Sequence, residues 1–82
     1  MAHVTLMPSL ARRFAGGRAE HEVDGLTIRQ LIRGLEQRYP GIGERLEHGV
    51  AVAIDGEIHQ NALLESVRPD SEVCYIPAIE GG

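Results

Sequence analysis

Thr27-Ile-Arg-Gln-Leu-Ile-Arg-Gly-Leu-Glu-Gln-Arg-Tyr-Pro40 sets the frame for the whole chain. Ile28, Leu31, Ile32, Leu35 and Tyr39 fall at i, i+3, i+4, i+7 and i+11, one apolar stripe with the 3.6-residue period of a helix. Thr27 and Gln30 form a Thr-x-x-Gln capping box, and Leu26 and Leu31 have the spacing of a hydrophobic staple across it. Arg29, Arg33, Glu36, Gln37 and Arg38 take the solvent side, and Pro40-Gly41 stops the helix. Gly34 in its middle costs about 1 kcal/mol against alanine, which close packing on a sheet would explain. A helix with a single apolar stripe needs one apolar surface to cover it.

The flanking segments supply that surface. Upstream, residues 4–7 read as a strand with Val4 and Leu6 on one face, ended by Pro8. Residues 9–15 bridge to a Gly16-Gly17 turn, and residues 18–23 return as a strand polar enough for a sheet edge. Downstream, residues 42–46 allow one more short helical turn. Val50-Ala-Val-Ala-Ile54 is a strand, Asp55-Gly56 a type I′ hairpin signal, and Glu57-Ile-His59 the return strand. Ala62-Leu-Leu64 reads as an apolar turn tucked under the fold. Arg68-Pro-Asp-Ser71 turns into a last strand, Glu72-Val-Cys-Tyr-Ile-Pro77. The order β-β-α-β-β-β predicts an α+β roll, a mixed sheet of four to five strands with one main helix packed across it. The expected domain is 1–77, followed by a flexible tail, 78–82.

Two strands carry a second message. If Val50, Val52, Ile54, Val73 and Tyr75 meet the helix, then Ala51, Ala53, Cys74 and Ile76 point away from the core. A solvated sheet face should alternate apolar with polar. This one stays apolar, as a face that docks a partner would.

Composition narrows the classes. Eighty-two residues, 43% of them hydrophobic, make one domain near the lower size limit for an unassisted core. Cys74 is the single cysteine, so no internal disulfide forms, which fits a reducing, cytoplasmic setting. No apolar run approaches a membrane span, and the net charge of −4 without an aromatic-interleaved basic patch argues against nucleic acid. All eight basic residues are arginine, so the chain offers no ε-amine for a Schiff base or for conjugation to itself. The four histidines are dispersed and no ligand spacing suggests a metal. Cys74, mid-strand, reads as a small apolar residue, and Asp55 and Asp70 as turn formers.

The chain stops at Gly81-Gly82 after a short tail, Ala78-Ile-Glu80. Glycine gains nothing from packing, but a backbone without Cβ atoms can thread a narrow tunnel and present its carboxylate to another protein. With this ending, the segments 4–17, 27–40, Val52-Ala-Ile-Asp-Gly-Glu57, Arg68-Pro-Asp-Ser-Glu-Val73 and Ile76-Pro-Ala-Ile-Glu-Gly-Gly82 resemble the MoaD/ThiS family of sulfur carriers, which have the ubiquitin-like β-grasp fold. A single proline, Pro77, followed by Ala78 and Ile79, together with Gly16-Gly17 and Gly41-Ile-Gly-Glu-Arg-Leu46, is more similar to the carriers that feed cysteine synthases.

The resemblance implies a protein co-substrate and not an enzyme. Its partners would be a ubiquitin-activating-type enzyme, which uses ATP and Mg²⁺ to adenylate Gly82, and a client such as a cysteine synthase or the large subunit of molybdopterin synthase. The product would be a thiocarboxylate at Gly82, with sulfur passing to cysteine, molybdopterin, thiamine or a secondary metabolite. The chain itself would bind no cofactor. Gly81 and Gly82 are the expected reacting end; Ile76, Cys74, Ala51, Ala53, Pro77 and Ile79 are the expected partner contacts. Two alternatives stay open: a ubiquitin-like modifier joined through Gly82 to lysines of other proteins, and a β-grasp binding module with an incidental glycine ending.

Overall fold

The computed structural model describes residues 1–47, 50–60 and 64–77. Five strands form one mixed sheet: β1 (Ala2–Thr5), β2 (Glu20–Val23), β3 (Val50–Ile54), β4 (Glu57–His59) and β5 (Glu72–Pro77), in the order β2-β1-β5-β3-β4. β1 and β5 run parallel at the centre, and every other pair is antiparallel. Helices α1 (Pro8–Phe14), α2 (Ile28–Arg38) and α3 (Ile42–Glu47) cover one face. Their buried side chains share a single apolar cluster with Val4, Val23, Val52, Ile54, Val73 and Tyr75. This is the α+β roll that the periodicity predicts.

α2 forms where its stripe requires. Ile28, Leu31, Ile32 and Leu35 are all buried, and the Thr27 hydroxyl caps the helix by accepting from Gln30 N at 3.2 Å. Gln30 Oε1 accepts from Leu26 N at 2.8 Å, so the reciprocal bond of the box reaches one residue further back. The staple does not form in the same way, because the Leu26 side chain stays 61% exposed while its carbonyl accepts from Val67 N. Gly34 sits so close to β2 that an added Cβ would lie 2.8 Å from Val23 Cγ1. Close helix–sheet packing therefore explains this glycine.

Three other expectations need correction. Residues 9–14 are not an irregular bridge but part of α1, which starts at Pro8 and has Ala15 as its C-cap. Pro8 can end a strand, but proline is also favoured in the first turn of a helix, and here it starts one. Met7, Leu10, Ala11 and Phe14 fall at i, i+3, i+4 and i+7, and the first three are buried. Consequently β1 ends at Thr5; Leu6 and Met7 stay buried while the chain turns into α1. β2 likewise begins at Glu20, two residues later than the polar run suggested. The apolar turn fails at Leu64, which is 80% exposed, and Ala62 and Leu63 lie outside the described residues.

The hairpin is the predicted one, with φ of 49° at Asp55 and 89° at Gly56. Asp55 does more than turn. Its carboxylate accepts from Glu72 N at 2.9 Å and from the Ser71 hydroxyl at 3.0 Å, which ties the hairpin to the start of β5 and pulls its own pKa down. Glu36 plays a similar role at the other end, accepting from Gly41 N and Gly43 N to join α2 to α3, with its pKa lowered by those bonds.

Candidate functional site

Register decides what the open face of the sheet presents. Ala51 lies beside Ile76, and Ala53 lies between Cys74 and Ile58. Thr5 continues the Ala53–Cys74 row on β1, and Glu20 ends it on β2. One residue pair along, Glu72, His3 and Glu22 form a second row. Strand alternation puts these residues opposite Val52, Ile54, Val73 and Tyr75, so none belongs to the core cluster.

The four strand residues expected to face a partner are thus contiguous. Ala53, Cys74 and Ile76 are half-buried, and Ile58 beside them is 67% exposed. Ala51 is buried, yet it packs outside the core cluster. Among the described residues no helix covers this face. Pro77 pairs with Val50 at the end of β5, directly after Ile76, so the patch adjoins the last residue of β5. Ile79, Gly81 and Gly82, and the whole 78–82 segment, lie outside the described residues.

The polar half of the face was not anticipated. His3 Nε2 lies 2.9 Å from Glu20 Oε1, and Nδ1 lies 3.2 Å from Glu22 Oε1. Carboxylates only accept, and a neutral imidazole has one N–H, so two acceptors favour the imidazolium. The His3 pKa is accordingly raised, first by Glu22 and then by Glu20. The signal was present in the alternation of Glu20 and Glu22 with His21 and Val23, which fixes which β2 residues face outward.

His21 is the opposite case. It is 3% exposed, its Nδ1–H donates to Ala19 O at 3.3 Å, and the Tyr39 hydroxyl donates to Nε2 at 2.8 Å. Burial pushes its pKa down, with Arg18 and Arg38 adding to the effect. It is a structural histidine, wedged edge-on against the Tyr39 ring.

Among the described residues, no group of three His, Cys, Asp or Glu side chains is placed to hold a metal ion. None of their helices is long and apolar enough to cross a membrane. What the face offers is a contiguous, partly exposed apolar patch beside the end of β5.

Comparison with known proteins agrees with the geometry. The family model described as the ThiS family matches residues 6–82. A molybdopterin synthase sulfur carrier subunit of Pyrenophora tritici-repentis is 31% identical over 75 residues, covering 88% of this chain and 81% of that one. The solved complex of BexX and CysO from Amycolatopsis orientalis contains a similar chain, with a TM-score of 0.82, 26% identity and full coverage of both chains. CysO of Mycobacterium tuberculosis has the same fold, with a TM-score of 0.84 at 23% identity over 96% of this chain and 100% of that one.

Proposed function

Because this chain belongs to the ThiS family of ubiquitin-like sulfur carrier proteins, we propose that it works through a thiocarboxylate made at Gly82. The observation that carries the reading is the family match, which runs through residue 82 and so includes Gly81-Gly82. A carboxylate is a poor electrophile. A ubiquitin-activating-type partner therefore uses ATP and Mg²⁺ to convert it to an acyl adenylate, with pyrophosphate leaving. Attack by sulfide-level sulfur on the carbonyl carbon then expels AMP and leaves the thiocarboxylate. This group is anionic at neutral pH, whereas a thiol with a pKa of about 8.5 is mostly protonated. The sulfur is thus delivered as a tethered nucleophile, with the entropic advantage of a positioned reactant.

The chain's own contribution is presentation. Ala53, Cys74 and Ile76 seat the domain on the partner, and Gly82 is presented to the partner's active site. Five extended residues reach at most about 18 Å, enough to cross a short tunnel. Gly81 and Gly82 put no Cβ in that passage. The client reading leans to a cysteine synthase on the single proline at Pro77, and the likeness to CysO sits with that lean. The setting is cytoplasmic, where the lone Cys74 stays reduced.

The test is adenylation itself. With the activating enzyme of the same genome, ATP–pyrophosphate exchange should depend on the carrier, persist in Cys74→Ala and vanish when Gly82 is deleted. Exchange that survives the deletion would remove Gly82 from the reaction.

A further inference from the structure

The sheet has two edge strands, and they are finished differently. On β2, the pairing of Val4 with His21 and the bond from Leu6 N to Ala19 O turn the Glu20 and Glu22 backbone groups outward. Arg38 closes that edge by donating to Glu22 O at 2.6 Å, and the two glutamates charge it. β4 is the other edge. Its two-residue turn makes Ile54 and Glu57 a hydrogen-bonded pair, so Ala53 and Ile58 are the next, non-hydrogen-bonded pair. The bond from Asp55 N to Glu72 O fits the same alternation on the far side of β3. The Ile58 N–H and carbonyl therefore point away from the sheet, and among the described residues nothing bonds to them. The Ile58 side chain stands on the open face, 67% exposed.

The three residues of β4 decide what fits this edge. Glu57-Ile58-His59 is its own antiparallel complement. With Ile58 set opposite itself, Glu57 of each copy stands opposite His59 of the other. The two Ile58 residues exchange both outward backbone bonds, with Cα atoms about 5.5 Å apart. Glu57 and the facing His59 make the closer kind of pair, about 4.5 Å between Cα atoms. His59 needs no charge for this. Its Nδ1 lies 3.9 Å from Glu65 Oε1, beyond hydrogen-bond distance, and a neutral ring can donate from Nε2 to a carboxylate. Gln60 would come opposite Gly56, which has open space around it. A slip of two residues sets Glu57 against itself or His59 against itself, and a slip of one turns the side chains to the wrong faces.

From this self-complementarity we propose that β4 pairs with β4 of a second copy of the chain, about a two-fold axis through Ile58. Two five-stranded sheets then join into one of ten strands. The row Cys74, Ala53, Ile58 continues into Ile58, Ala53 and Cys74 of the second copy, so the two apolar patches become one surface. The contact is small against the roughly 1,200–2,000 Å² of a stable interface. Each copy also carries a net charge of −4, which opposes association. The dimer is therefore weak and reversible. It does not depend on what Gly82 carries.

Sedimentation equilibrium of the full chain under reducing conditions tests the association. The wild type should show a monomer–dimer equilibrium at concentrations up to about 1 mM, the range expected of so small a contact. Ile58→Lys sets two like charges opposite each other and should weaken the dimer at least about tenfold. Because Ile58 is exposed, this variant should keep the wild-type unfolding midpoint. A second measurement fixes the register. In a Cys74→Ala background, Glu57→Cys, Ile58→Cys and Gln60→Cys each put one thiol on or beside the exposed strand. Only Ile58→Cys meets its own copy within the Cα separation of about 4.4–6.8 Å that a disulfide spans. Residue 57 stands about 7–8 Å from its counterpart, and residue 60 stands further still. On mild oxidation Ile58→Cys should form the disulfide dimer about tenfold faster than the other two. Equal rates at the three positions would overturn the proposal. So would a dimer that Ile58→Lys leaves intact, which would place the contact elsewhere. A wild type still monomeric at about 1 mM would leave the edge to a strand of some other protein and would equally refute it.

Discussion

Gly34→Ala pits two effects of similar size against each other. Alanine in a helix interior is favoured over glycine by about 1 kcal/mol. The new Cβ, however, would lie 2.8 Å from Val23 Cγ1, well inside contact distance. Val23 is 1% exposed, and its β-branched side chain has little rotamer freedom with which to move away. Overpacking of this kind typically costs about 1–3 kcal/mol. The net expectation is a loss of about 0–2 kcal/mol in the wild type. Val23→Ala removes the clashing methyl, so in that background Gly34→Ala should stabilise by about 1 kcal/mol. The coupling between the two sites is then about 1–3 kcal/mol. Urea unfolding of the four proteins of the cycle measures it directly. An equal gain of about 1 kcal/mol in both backgrounds would show that α2 does not rest on β2 through Gly34, and the packing argument would fall.

Three further expectations follow from named groups. Among the described residues the buried Tyr75 hydroxyl has no partner, and burial raises its pKa; Tyr75→Phe should be neutral or stabilising by up to about 1 kcal/mol, and a clear loss in urea unfolding would reveal a missed hydrogen bond. By NMR, His3 should titrate above 6.5 and His21 below it. The two act oppositely on stability: His3 stabilises below the unfolded value and loses this as pH rises through its raised pKa, whereas His21 favours the fold above 6.5 and withdraws support as pH falls toward its lowered pKa. His3→Gln should therefore leave a domain whose unfolding midpoint drops more steeply on acidification, and an unchanged profile would contradict the assignment. Finally, Ile76→Asp should leave the isolated domain folded yet weaken partner binding, because it puts a charge into an apolar contact; an unfolded variant would place Ile76 in the core.

The elements with strong periodicity were legible from the residues alone. The α2 stripe, the Asp55-Gly56 hairpin and the alternation in β3 and β5 each dictate which side chains meet: Ile28, Leu31, Ile32, Leu35, Val52, Ile54, Val73 and Tyr75 are in the core cluster, Tyr39 packs against it partly buried, and the Val50 side chain lies outside what the structure describes. α1 was hidden because Pro8 has two meanings, strand terminator and helix starter, and only the spacing of Met7, Leu10, Ala11 and Phe14 separates them. His21 was hidden for a different reason. Its burial depends on Tyr39, eighteen residues away in sequence, and no local pattern announces that contact. The apolar half of the site could be read from one strand pair. The acidic half could not, because it needs the β2-β1-β5 order to bring Glu20, His3 and Glu72 together.

The central claim is that sulfur is carried on the C-terminal carboxylate. Intact mass spectrometry after incubation with the activating enzyme, ATP, Mg²⁺ and a sulfur donor tests it most directly. The account predicts a gain of about 16 Da as one oxygen is replaced by sulfur, retained in Cys74→Ala and localised by fragmentation to Gly82. A gain of about 32 Da on Cys74, with Gly82 still a carboxylate, would contradict it and make the chain a persulfide protein.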